Sequence, residues 1–156
     1  MIFAISLIWQ NVYVSGPLFV LFLFVVTFFR DFDRTKDYDP NIAYSPADGT
    51  ISQINEVEWD GKPYTQVVIF LSVFNCHINR IPLKGTVVST DHFTGKFYVA
   101  MRKDIDEKNE RQITVFDTDK GRIKVAQITG AIARRIVCRL KPKQCVEVGN
   151  RFGLIK

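Results

Sequence analysis

Apolar residues are unevenly spread along this chain. Residues 1–29 carry no charged side chain, and 12–29 (VYVSGPLFVLFLFVVTFF) is apolar except for Ser15, Gly16 and Thr27. A helix that crosses a bilayer needs about 20 such residues, so the segment predicts a hydrophobic helical membrane anchor over 1–29. Gly16-Pro17 falls within it, and proline removes a backbone donor and kinks or starts a helix. Two geometries follow: a single kinked span, or a re-entrant hairpin of two short arms. A cleaved signal peptide fits poorly, because the first positive side chain, Arg30, comes after the apolar run rather than before it.

Past Phe29 the pattern changes. Residues 30–45 (RDFDRTKDYDPNIAYS) read as a polar linker. From residue 46 onward, short apolar alternations are separated by turn residues, which is a β pattern. Strands are predicted at 50–57, 66–72, 85–89, 112–117, 121–129 and 131–140, with Asp60-Gly61 as a hairpin turn. The stretch 101–111 (MRKDIDEKNER) looks helical or loop-like and reads mostly as a solvated surface segment. The whole predicts a mainly β domain over 46–156, a compact barrel or sandwich. Val146, Gly149 and Gly153 follow a V-x-x-G-x-x-x-G spacing that resembles the turn-and-strand unit of lipoyl- and biotinyl-carrier-like hybrid barrels. That spacing marks a way of turning a chain and not a chemistry.

Charge adds an orientation. The net charge is +5, and Arg30, Arg34 and Lys36 flank the C-terminal end of the apolar run. The positive-inside rule then places the β domain on the cytoplasmic side of the cell membrane. A basic domain beside an apolar anchor suits anionic lipid headgroups. Nucleic acid is not expected as a partner: the basic residues are interspersed with acids, and no recognition-helix, zinc-finger or RNP-type motif occurs. The three cysteines, Cys76, Cys138 and Cys145, have no CxxC spacing and read as buried structural thiols in a reducing compartment. The two histidines, His77 and His92, have no metal-ligand partner at i+3 or i+4, so no metal site is expected.

Candidate chemistry centres on two places. Asp48 lies in Ser45-Pro46-Ala47-Asp48-Gly49, and His77 begins His77-Ile78-Asn79-Arg80-Ile81-Pro82 after an apolar strand. From spacing alone the plainer reading leads for each: a turn for Asp48-Gly49, and a core or turn histidine for His77. The wider context shifts the weight. Histidine, asparagine and arginine within four positions of an apolar strand are costly to bury unless paired or used. Arg80 suits a phosphate or carboxylate, His77 is the neutral-pH proton carrier near it, and Asp48 is a candidate orienting partner.

The motifs of the chain, in order, resemble the short form of the phosphatidylserine decarboxylase family. They are Phe28-Phe29-Arg30-Asp31, Ser45-Pro46-Ala47-Asp48-Gly49, Phe70-Leu71-Ser72 leading to His77-Ile78-Asn79-Arg80-Ile81-Pro82, Gly85, Gly95-Lys96-Phe97 and Asn109-Glu110-Arg111. Gln127-Ile128-Thr129-Gly130, Ala133-Arg134-Arg135-Ile136-Val137-Cys138, Gly149 and Arg151-Phe152-Gly153-Leu154-Ile155-Lys156 complete the series. Each motif is weak alone; the ordered set is strong.

The resemblance implies a proenzyme that cuts itself at a Gly-Ser bond and converts the serine into a pyruvoyl group. That group would act as the electron sink for loss of CO₂ from a phosphatidylserine-type headgroup, giving the phosphatidylethanolamine type. No residue here matches that serine. The chain is therefore expected to be the β chain, with the pyruvoyl group on a small α chain from the same precursor; a truncated form is the alternative. The resemblance assigns Asp48 and His77 to self-cleavage and His77 to decarboxylation as well. Arg80, Asn79, Lys96 and Ser72 are the expected substrate-binding residues. Longer-form members carry a second histidine at the position of Arg80, so here His77 serves alone or with another group; His92 stands where a tyrosine is expected. Phospholipid, membrane, the α chain and a further copy of the αβ unit are the expected partners. The rival readings are a membrane-tethered lipoyl-like carrier or adaptor and a structural β domain. The first lacks a modifiable lysine beside a methionine, since only Lys103 lies near Met101. The second leaves the His77, Asn79 and Arg80 cluster without a use.

Overall fold

The computed structural model describes residues 11–34, 37–99 and 108–156. It begins with a helix, α1 (Val12–Phe28), of 17 residues. Asn11 caps it, its side chain accepting the Tyr13 amide at 3.1 Å. The helix runs through Pro17 without a break, so residues 12–28 form one arm and not two. At its other end Arg30 folds back, and its guanidinium donates to the Thr27 carbonyl at 2.7 Å, satisfying an end carbonyl and placing positive charge at the negative pole of the helix.

The expectation of a spanning anchor is corrected here. At 1.5 Å per residue α1 is about 25 Å long, short of a hydrocarbon core of about 30 Å. Among the described residues no helix is long and apolar enough to cross a membrane. Residues 1–10, the first part of the expected anchor, lie outside the described residues, as do 101–107 of the charged segment.

The rest of the described chain is mainly β, in three antiparallel sheets. β1 (Thr50–Trp59) and β2 (Lys62–Phe70) form the predicted hairpin. Asp60 and Gly61 turn it with φ of 55° and 69°, the double left-handed geometry that a two-residue hairpin needs and that Asp-Gly supplies at low cost. Much of the hairpin is exposed. β3 (Ile78–Arg80), β4 (Gly85–Phe93), β5 (Arg111–Thr118), β6 (Gly121–Ile128), β7 (Ile136–Cys138), β8 (Cys145–Val146) and β9 (Arg151–Ile155) complete the fold. One sheet has the order β3-β9-β7 and the other β6-β5-β4-β8.

The core lies where these two sheets meet. Ile81, Val87, Phe116, Val146 and Phe152 are buried together, with Val125, Cys138 and Leu140 against them. Phe116 of β5 and Phe152 of β9 meet edge to face at 6.2 Å, tying one sheet to the other. The strand predicted at 131–140 shortens to β7, because the chain turns first: the Gly130 amide donates to the Ala133 carbonyl at 2.9 Å. β3 and β9 were not predicted as strands; they pair with each other, Asn79 opposite Gly153, and carry the histidine segment into the sheet.

Candidate active site

His77 sits one residue before β3 and is 4% exposed. The turn that delivers it is built by Ser72 and Asn75. The Asn75 side-chain oxygen accepts both the Ser72 amide and the Ser72 hydroxyl, each at 2.8 Å, and the Asn75 amide donates to the Ser72 carbonyl at 3.0 Å. That turn aims the Asn75 carbonyl at His77 Nδ1, 2.9 Å away. A carbonyl only accepts, so Nδ1 carries the hydrogen and Nε2 is left with the lone pair. The ring of Phe28, at the end of α1, lies against the imidazole with centroids 4.5 Å apart and planes 31° apart. Burial, with some help from the Arg30 charge, holds the His77 pKa below its ordinary value of 6.5; the Asn75 hydrogen bond opposes them.

His77 opens onto a cavity of about 400 Å³. Its walls are largely apolar, with Phe28, Phe70, Leu71, Ile128 and Ile132 among them, and its side-chain polar groups are His77, Ser52, Ser72 and Thr129. No charged side chain lines it among the described residues. One wall is the turn after β6, which the fully buried Asn109 ties down: its side chain donates to the Thr129 carbonyl at 2.8 Å and to the Tyr98 carbonyl at 3.0 Å.

Asp48 lies elsewhere. It borders a second cavity, of about 230 Å³, together with Arg34, Cys76, Ile78 and Arg80. Its carboxylate meets Arg34 at 2.6 Å, and among the described residues its partner is that arginine and not His77. Arg80 faces the same side and donates to the carbonyls of Phe32 at 2.7 Å and Gly149 at 3.0 Å, and to Asp31 at 3.2 Å. Arg151 takes the other oxygen of Asp31 at 2.7 Å. The stretch read as a polar linker is thus strapped onto β3 and β9 by ion pairs.

Of the six residues expected at the site, His77 and Ser72 share the first cavity, and Asp48 and Arg80 share the second. Asn79 is 4% exposed and accepts from the Gln127 amide at 2.8 Å. Lys96 lies over the Tyr98 ring at 5.6 Å and lines neither cavity. His92 pairs with Glu110 at 3.0 Å on the half-exposed end of β4. Sequence reasoning named Phe28 only as the start of a family motif and gave no role to it or to Asn75. The one signal for Asn75 is a serine three residues before an asparagine, a local hydrogen-bonding turn.

A sequence model of phosphatidylserine decarboxylase matches residues 21–156. The chain is also similar to the phosphatidylserine decarboxylase proenzyme of Wolbachia pipientis wMel, 46% identical over 137 residues that cover 83% of this chain and 60% of the relative. The phosphatidylserine decarboxylase proenzyme of Chlorobium chlorochromatii (strain CaD3) is 41% identical over 148 residues, 94% of this chain and 70% of that protein. The chain belongs to the phosphatidylserine decarboxylase family. It spans about 60% of the length of the Wolbachia relatives it matches. The fold places the motif residues Phe70, Ser72, His77, Thr129 and Gly130 around one cavity, although the sequence scatters them over 61 positions (130 − 70 + 1).

Proposed function

We propose that this chain is the larger, β part of a pyruvoyl-dependent phosphatidylserine decarboxylase, formed when a longer precursor cuts itself. The observation that carries the reading is His77: a buried imidazole with one nitrogen pinned and the other free to exchange a proton, opening on a cavity without fixed charge. A pyruvoyl group is small and uncharged, and the hydroxyls and imidazole of this otherwise apolar cavity suit it. When bound, it would supply the electron sink for decarboxylation.

The residues of this chain then divide the work. His77 Nε2 takes up and returns the proton that replaces CO₂ on the substrate carbon. Ser72 holds the turn that aims Nδ1, and the apolar walls keep water from the reacting carbon. Asp48, with His77, serves the self-cleavage of the precursor, and the serine that becomes pyruvoyl belongs to the partner segment of that precursor. For Arg80, Asn79 or Lys96 to hold the lipid phosphodiester, each must leave its present contacts.

The surface supports a lipid substrate. Phe74, Ile132 and Val99 stand 76%, 67% and 57% exposed, and the last two are at the cavity itself. In α1, Phe28 alone is buried. The exposed apolar side chains of the helix suit contact with lipid, and the β domain is proposed to lie on the cytoplasmic side. The turn at Gly149 between β8 and β9 supports the likeness to carrier-like hybrid barrels, and an αβ unit of this shape is proposed to pair with a second copy.

The test is the intact mass of the product of the complete reading frame, followed by assay on vesicles containing phosphatidylserine. Two chains are expected, the smaller blocked at its N-terminus by a carbonyl group, with CO₂ released from the lipid. Asp48→Ala and His77→Ala are expected to leave the precursor whole. A single uncut wild-type chain, inactive on the vesicles, overturns the reading.

A further inference from the structure

The end of α1 and the histidine turn are joined at more points than a tethered helix needs. Phe28 is 7% exposed, while the apolar residues from Leu18 to Val26 are 38% to 65% exposed. Its ring lies on the His77 imidazole at 4.5 Å, and it is itself braced by Phe24 at 5.9 Å and by Phe29, edge on, at 5.1 Å. Two residues further on, Arg30 donates from its guanidinium to the Phe74 carbonyl, and its own carbonyl accepts from the Cys76 thiol at 3.4 Å. The helix end therefore grips the residues on both sides of Asn75 and the histidine that follows.

An imidazole has two ways to misplace its free nitrogen: it can flip, or its plane can tilt. The Asn75 carbonyl prevents the flip, because a flipped ring presents carbon where the N–H now donates. Nothing in that single hydrogen bond fixes the plane. We propose that Phe28 is the positioning residue that does so: its ring holds the His77 plane and keeps water off that face, so that the helix end is a working part of the site. This rests on the reading of His77 as the proton carrier. Arg30 is the charged group whose field reaches the ring, and no charged side chain lines the cavity among the described residues. Water admitted by loss of Phe28 would restore hydration to the protonated ring and screen Arg30.

The test uses the complete protein in its self-processed form, in wild type, Phe28→Ala, Phe28→Leu and Phe28→Tyr. The ring Cε1–H signal of His77 is followed by NMR from pH 5 to 8 and told apart from that of His92 by the loss of the latter in His92→Gln. Decarboxylation of phosphatidylserine vesicles is measured over the same range. In Phe28→Ala the His77 midpoint is expected to rise toward the ordinary value. The acid limb of kcat is expected to follow it, with kcat lower on the order of ten- to a hundredfold and KM little changed. Phe28→Tyr, which keeps a ring, is expected to keep the wild-type midpoint, and Phe28→Leu, apolar without a ring, to shift it. If Phe28→Ala does not fold, the Leu and Tyr variants give the same comparison. A His77 midpoint that is unchanged by Leu or Ala in folded protein overturns the proposal. Should the midpoint move in protein that does not decarboxylate the lipid, the positioning role stands and the assigned reaction falls.

Discussion

Asp48 gives its carboxylate to Arg34 at 2.6 Å, across the strap that follows α1. The proposed self-cleavage needs this aspartate to act with His77. In the structure the two border different cavities, and His77 spends its Nδ1 hydrogen on the Asn75 carbonyl. Each of the two is held by another group. For Asp48 to reach the histidine, its contact with Arg34 must open.

Arg34→Gln is therefore expected to cut itself at least as fast as the wild-type precursor, whereas Asp48→Asn stays whole. The side chains of Arg34 and Asp48 are 46% and 27% exposed, so the pair contributes only about 0.2–1 kcal/mol to stability, and less in high salt. Time courses of the cleaved fraction on denaturing gels, beside thermal melts, check both statements. Slower cleavage in Arg34→Gln at unchanged melting temperature would show the pair to be an active arrangement.

Much of the β framework was legible in the sequence, because local signals agree with the fold. Asp60-Gly61 turns a hairpin wherever apolar alternation flanks it, and the run 112–117 marks β5, which lies between β6 and β4, although the face it buries carries Gln112 and Thr114 and not Ile113 and Val115. β3 was not legible: three residues are too few for a period, and it exists through its pairing with β9. At the site, residue types were read correctly as costly to bury, but their partners could not be read. Asn79 and Arg80, adjacent in sequence, point to opposite uses: Asn79 reaches inward to Gln127, and Arg80 outward to Asp31. No role for Phe28 was legible beyond its place in a motif, because its contact with His77 joins residues 49 positions apart (77 − 28).

Asn79→Ala is expected to act mainly on stability. Gln127 is 2% exposed and its side-chain oxygen finds no hydrogen-bond partner among the described residues, so loss of Asn79 takes away the 2.8 Å bond that holds its amide nitrogen. Stranding a buried donor costs about 1–3 kcal/mol, while replacing both partners by apolar side chains of similar shape costs less. Chemical denaturation is expected to show Asn79→Ala destabilised by that amount and Asn79→Leu with Gln127→Met less so. A loss of kcat in Asn79→Ala at unchanged stability would instead place the amide on the substrate.

Gly149→Ala tests the strap from the other side. Gly149 has φ of 79°, and a Cβ there would run into the Tyr38 ring. Tyr38 in turn donates to the Arg34 carbonyl at 2.8 Å and packs edge on against Tyr44 at 4.9 Å. Backbone strain alone costs on the order of 1–3 kcal/mol, and displacing Tyr38 adds to it. The expected result is a lower melting temperature together with early protease cleavage between α1 and β1. Stability within about 0.5 kcal/mol of wild type would mean that the strap is not held at this point.

The pH dependence of stability carries the sign of the His77 environment. Burial favours the neutral ring, so its folded pKa lies below the unfolded value near 6.5. Above 6.5 the ring is neutral in both states and contributes nothing to the slope. As pH falls below 6.5 the unfolded chain binds the proton first, and stability drops until the folded pKa is reached. His92 is the other histidine, paired with Glu110 on the half-exposed end of β4. His77→Gln removes the one buried imidazole, and its stability is expected to fall less steeply than that of wild type between pH 6.5 and 5, as read from urea midpoints at matched ionic strength. Equal slopes in the two proteins would mean that the His77 ring is hydrated in solution, and the closed contact with Phe28 would then have to be abandoned as its resting state.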